Sequence, residues 1–212
     1  YDTFMEYTTK AYASEKSPLE LSFIPIHPGD ILSYGGYHFE VKLLKGHTFG
    51  QCGLYEPEKK LMFVGDQLMT TIVPIVGTQE TDLGMLKCYL DSLGDLKHNY
   101  KDCYFLPCHY GEIRNVEKEV NRIILGYLEK CEIMKHVLEE AGTALTTRDI
   151  GVRTYGRSQG PPDYAHFASC TYIWAKTFSC MEYMMGEGFV ERSERDGIIY
   201  WKAPSIHFEN NR

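Results

Sequence analysis

Three polar side chains punctuate apolar runs at places where a plain turn needs only glycine. His47 stands in a Gly-His-Thr turn, Asp66 in a Val-Gly-Asp turn, and His109 in "PCHYG". Imidazole and carboxylate suit zinc, iron or manganese, and a carboxylate bridges two cations in a dinuclear site. Loops at strand ends are where a sheet displays functional groups, whereas a core histidine more often sits inside an element. The competing reading is that His47 and Asp66 cap their turns, since their separation is far longer than a local motif such as His-Glu-x-x-His. His27, His38, His98, His136, His166 and His207 lack matching partners and read as surface or structural residues. Cys108, beside His109, reads as a small buried residue.

The elements that must position these groups are short at first. Runs 22–26, 38–44, 51–55 and 61–64 read as strands in a meander, and the polar "EPEKK" with its proline makes a hairpin connection. Leu83, Leu86, Leu90, Leu93 and Leu96 recur at helical spacing and predict a helix over 81–96, with Asp82 at its positive end. A buried strand, 103–106, follows. A helix packed on a mixed sheet is the expected arrangement.

From Val116 an apolar stripe runs through Val120, Ile123, Ile124, Tyr127, Leu128, Cys131, Met134, Val137 and Leu138, with Gly142 as the stop. "TTRD" at 146–149 predicts a capped second helix, and a third covers 165–185. Asp196-Gly197 then joins two short strands. Three helices and a hairpin predict a winged helix-turn-helix, placing a domain boundary at 115: residues 1–115 and 116–212.

Composition narrows the function. The 212 residues, 43% hydrophobic and 24% charged, suffice for a sizeable core, and no apolar run approaches the roughly 20 residues that span a bilayer. No membrane association is expected. A net charge of -7 opposes phosphate attraction, and Glu187, Glu191, Glu194 and Asp196 around the hairpin argue against nucleic-acid binding, despite Lys176 and the aromatics Tyr172, Trp174 and Phe178 on the third helix. Seven scattered cysteines without a Cys-x-x-Cys pair suggest free thiols and a cytoplasmic location. The start at Tyr1, without an initiator methionine, reads as an interior one.

"GHTFGQCGLYEPEKKLMFVGD" followed by "FLPCHYG" resembles the C-terminal half of the metallo-β-lactamase fold superfamily, over roughly residues 20–115. Those proteins carry a Gly-His-Thr-x-Gly turn, a hairpin, a Gly-Asp turn, a helix and a Pro-x-His-Gly-like turn. The fold class implied is α/β: the C-terminal half of an αββα sandwich, followed by the winged helix. The resemblance implies a pair of metals, zinc first and iron or manganese as alternatives. His47 would bind one, His109 the other, and Asp66 would bridge them, with Thr48 stabilising its turn. The hydroxide they activate would be the nucleophile of a hydrolase.

The family's His-x-His-x-Asp-His segment is absent: no two of the eight histidines are separated by one residue. The chain alone is therefore expected to bind metal weakly and hydrolyse little. The whole protein is expected to be a thioester or ester hydrolase acting on a small molecule, similar to the β-lactamase-like-2 and glyoxalase-II-like branch. Arg153, Tyr155, Arg157 and the "GPPDY" loop are candidates for a lid over the substrate. A ribonuclease or phosphodiesterase of the same fold is one alternative, and a noncatalytic binding or oligomerisation module is another. Half a sandwich exposes the face its other half would cover, so self-association is expected.

Overall fold

The computed structural model describes residues 24–76, 84–156 and 164–204, with the backbone alone for 164–171. Strands β1 (Ile31–Tyr34), β2 (Tyr37–Leu43), β3 (Cys52–Glu56) and β4 (Leu61–Gly65) form the expected antiparallel meander. Helix α1 (Met85–Asn99) then crosses over, and β5 (Tyr104–Pro107) joins parallel to β4. A parallel neighbour requires such a crossover, because a tight hairpin reverses direction. In the order β1-β2-β3-β4-β5, strands β2, β4 and β5 run in the same direction. Their C-terminal ends therefore share one end of the sheet, and His47, Asp66 and His109 follow those ends.

The strand expected at 22–26 does not form where it is described: 24–26 carry no strand, and β1 lies beyond them. A turn intervenes, with Asp30 N donating to His27 O at 3.0 Å and Asp30 Oδ2 accepting from His27 N at 2.7 Å. The second half of that turn is where the chain first meets β2, through Gly29 N to Val41 O at 2.8 Å and Val41 N to Asp30 O at 2.9 Å.

Helix α1 buries Met85, Leu86, Tyr89, Leu93 and Leu96, packing in one core with Leu44, Met62, Val64 and Phe105 from the sheet. Leu83 and Asp82, assigned to its first turn from sequence, lie outside the described residues. Its described start is capped by the backbone of Gly84 without a side-chain bond, and His98, read as following the helix, sits in its last turn. The opposite face of the sheet carries Tyr37, Phe39, Leu43, Leu54 and Phe63, none of them in that core. Phe39 stacks on Tyr37 and meets Phe63 edge-on, both at 5.8 Å, and Phe63 and Leu43 remain 39% and 40% exposed.

Helix α2 (Val116–Ala141) has the predicted limits, with Asn115 Oδ1 accepting from Lys118 N at its start and Gly142 in a left-handed cap at its end. Leu128, placed in the buried stripe from sequence, is exposed, because the face turned to the core runs through Ile123, Tyr127, Cys131 and Met134. Strand β6 (Leu145–Thr146) precedes α3 (Thr147–Tyr155), whose capping box joins Thr146 and Asp149 as "TTRD" predicts. Helix α4 (Tyr164–Gly186) leads to the hairpin β7 (Glu191–Arg195) and β8 (Ile198–Lys202), and β6 adds to β8, giving a sheet ordered β6-β8-β7. Trp201, fully buried, donates from Nε1 to Thr147 Oγ1 at 2.9 Å and so fastens β8 to α3. The buried cluster runs without a break from Leu44 through α1 and α2 to Trp201. Among the described residues no helix is long and apolar enough to cross a membrane.

Candidate metal centre

His47, Asp66 and His109 meet. His47 Nε2 lies 3.7 Å from Asp66 Oδ2, and His109 Nε2 lies 3.5 Å from Asp66 Oδ1. Each histidine thus faces a different oxygen of one carboxylate. Asp66 Oδ1 is buried and accepts no hydrogen bond, an arrangement that ordinarily destabilises a fold.

Two glycines let the turns approach. Gly65 takes φ 57°, a left-handed conformation that turns the chain from β4 into Asp66. Gly46 has φ 148°, and a Cβ there would come within 2.7 Å of the Tyr89 Cα, so only a bare backbone lets the His47 turn rest on α1. Thr48 holds that turn through its carbonyl, which accepts from Gly46 N at 3.2 Å and Gln51 N at 3.4 Å.

The orientation of His47 is set by its other ring nitrogen. Nδ1 lies 2.7 Å from the Ile75 carbonyl oxygen, which only accepts, so Nδ1 carries the hydrogen and the lone pair of the neutral ring sits on Nε2, towards Asp66. Ile75 is held by α2. The Tyr127 hydroxyl donates to Pro74 O at 2.6 Å and accepts from Val76 N at 3.1 Å. Earlier on α2, Arg122 Nη2 donates to Met69 O at 2.5 Å and Ile72 O at 3.1 Å.

Gln67 joins the His47 and Asp66 turns and was not singled out from sequence. Fully buried, it donates from Nε2 to Lys45 O at 3.1 Å and Ser92 Oγ at 3.0 Å, and its Oε1 accepts from His47 N at 3.4 Å. Its own carbonyl accepts from the Tyr89 hydroxyl at 2.8 Å. The one local signal it leaves is its place in "GDQLMT", a polar residue next to a candidate ligand and ahead of an apolar pair. Burial pushes the Tyr89 and Tyr127 hydroxyls well above the ordinary tyrosine range, which keeps both as donors.

Other placements differ from expectation. Cys108 is exposed rather than buried: its N–H extends the sheet by donating to Gly65 O at 3.1 Å, but no layer covers the side chain beyond the end of β5. Arg153 and Tyr155 belong to α3 rather than to a loop, and the Tyr155 ring packs 5.2 Å from Lys130 Nζ. Arg157 and residues 160–163 of the suggested lid lie outside the described residues.

The donor set accommodates metal in part. With bonds of about 2.0–2.2 Å to nitrogen and oxygen, neighbouring ligand atoms stand roughly 3.4 Å apart, close to the two nitrogen–oxygen distances here. A lone pair facing a carboxylate oxygen at such a separation is favourable only when a cation or proton lies between them. The three donors divide around the carboxylate, however, and among the described residues no group of three or more His, Cys, Asp or Glu is placed to hold one metal ion. Two half-shells sharing Asp66 are what the residues supply.

No family model matches the sequence. A metallo-β-lactamase family protein of Thermus thermophilus superposes with a TM-score of 0.72 at 20% identity, covering 95% of this chain and 65% of that one. A β-lactamase domain protein from Burkholderia ambifaria gives a TM-score of 0.76 at 18% identity, over 96% and 59%. The fold is therefore that of the metallo-β-lactamase proteins. In sequence, the hydroxyacylglutathione hydrolase GloC of Haemophilus influenzae is 50% identical over 40 residues, 19% of each chain. The chain thus spans under two thirds of each of these relatives.

Proposed function

We propose that this chain carries part of the catalytic centre of a metal-dependent hydrolase that acts on thioesters or related esters of a small molecule. The observation that carries the proposal is the Asp66 carboxylate set between His47 and His109, with its buried Oδ1 unbonded. His47 would hold one cation, His109 a second, and Asp66 both, with zinc first among the candidates and iron or manganese next. Bound there, such cations supply Lewis acidity towards water and a carbonyl oxygen. The chain's own contribution is orientation: the Ile75 carbonyl fixes the His47 ring, and Gln67 fixes the spacing of the His47 and Asp66 turns. With two protein donors per cation among the described residues, the chain alone would bind metal weakly and turn over little. The thioester reading is supported by the short match to the hydroxyacylglutathione hydrolase.

The finer organisation is also proposed. Residues 116–212 would form a winged helix-turn-helix, supported by three helices with β6 between the first two and a terminal β7–β8 hairpin added to it. Residues 1–115 would be the catalytic part, of the β-lactamase-like-2 and glyoxalase-II-like branch. The free cysteines support a cytoplasmic setting, and the apolar outer face of the five-stranded sheet supports self-association.

Zinc competition against a chromophoric chelator tests the centre, with hydrolysis of a hydroxyacylglutathione thioester by the full-length protein as the activity arm. The expected result is zinc uptake that Asp66→Asn abolishes. Equal uptake by wild type and variant refutes the assignment.

A further inference from the structure

A second cleft lies at the other end of the sheet. Lys59, Lys60, Lys101, Asp102, Cys103, Tyr104 and Arg114 line an open hollow of about 590 Å³ there. Pairing of β4 with β5 builds it: Leu61 stands opposite Tyr104, and Tyr104 N donates to Lys60 O at 2.7 Å, so the turn before β4 and the approach to β5 lie side by side. The chain returning from His109 pairs Ile113 with Phe105 and so brings Arg114 back to Tyr104, its guanidinium 5.8 Å from the ring centre. The length of β4 separates this cleft from Asp66, roughly 15 Å at about 3.3 Å per residue.

The cleft's charge runs against that of the protein. The net charge is -7, yet four cations and one carboxylate line this hollow. Elsewhere four lysines find carboxylates, Lys42 with Glu40 at 2.6 Å, Lys87 with Asp91 at 3.1 Å, Lys135 with Glu132 and Glu139, and Lys202 with Glu191 at 2.7 Å, while Lys97 bonds Asn121 and Lys45, Lys130 and Lys176 lie over aromatic rings. Among the described residues Lys59, Lys60 and Lys101 have no such ion pair. Arg114 alone is paired, with Glu112 at 2.6 Å. Like charges gathered in a concave surface repel one another and focus a positive field, which a bound anion relieves. The ammonium groups are point donors on flexible stems, suited to the several oxygens of a phosphate.

We infer that this cleft is a binding site for a small phosphate-bearing anion, formed by Lys59, Lys60 and Lys101 and separate from the candidate metal centre. It does not depend on the hydrolase reading. Its size exceeds a single phosphate and admits a pyrophosphate with an attached group.

Calorimetric titration of the chain with inorganic pyrophosphate, after chelator treatment that removes any metal, tests the site. Saturable one-to-one binding is expected, weakened at least tenfold in Lys59→Gln/Lys101→Gln and unchanged in Lys87→Gln, with circular dichroism confirming that each variant folds. Absence of binding at millimolar pyrophosphate overturns the inference, as does equal weakening by Lys87→Gln. A short single-stranded RNA that binds in a manner sensitive to Lys59 and Lys101, while pyrophosphate does not, overturns it in favour of a nucleic-acid surface.

Discussion

The Tyr127 hydroxyl grips the backbone on both sides of the residue that orients His47. It contacts Pro74 O and Val76 N, while the Ile75 carbonyl between them receives His47 Nδ1. Tyr127→Phe keeps the ring in the core but leaves a buried N–H and carbonyl without their partner. The expected loss is about 1–3 kcal/mol of stability. Loosened support of a ligating histidine typically weakens metal binding roughly 10–100-fold. Chelator competition measures the affinity, and the Nδ1–H resonance of His47 reports its hydrogen bond independently of metal.

Asp66→Asn separates function from stability. An amide is nearly the size of the carboxylate and can donate to a histidine nitrogen, where the present Oδ1 is buried and unbonded. Metal uptake is expected to vanish while stability changes by no more than about 1 kcal/mol, the usual range for a substitution that opens no cavity. Urea unfolding checks the second part.

Gln67→Ala should act in the opposite sense, costing about 1–3 kcal/mol because it leaves Lys45 O and His47 N without their partner. A Gln67→Glu variant retains the acceptor for His47 N but loses the donor to Lys45 O and Ser92, and should lie at the upper end of that range. Thermal unfolding of both variants tests this.

The buried tyrosines predict an alkaline weakness. Their ordinary value is 10.0, and burial raises both Tyr89 and Tyr127 in the fold. Their contribution is complete below pH 10. Above it the unfolded chain releases protons that the folded one retains, so stability falls by up to about 1.4 kcal/mol per pH unit for each tyrosine. Urea midpoints at about pH 9 and 11 should diverge, and less so in Tyr127→Phe, which has lost one of the two groups.

Much of this was legible in the sequence where the signal is local. The limits of α2, the capping box at Thr146 and Asp149 and the turn at Asp196-Gly197 follow from side chains acting on their own backbone. His47, Asp66 and His109 were legible as residues at strand ends. Their convergence was implied by the family resemblance and not by any local signal, because it depends on β2, β4 and β5 running in one direction, a property of the order in which strands pair. Gln67 and the Tyr127 hydroxyl were hidden for the same reason: their partners lie twenty or more residues away. Two-residue β6 is too short to show a period, and 24–26, within the expected first strand, carry none ahead of the turn at His27 and Asp30.

The segment from Asp66 to Val76 is fastened by Arg122 at Met69 and Ile72, by Tyr127 at Pro74 and Val76, and by Thr70 Oγ1 to Tyr110 O at 3.2 Å. Its conformational entropy is lost when α2 docks, during folding itself. A cation arriving between His47 and Asp66 therefore has little backbone left to order, and its uptake should proceed with a small heat-capacity change, as with an ion entering a rigid chelate rather than one that folds around it.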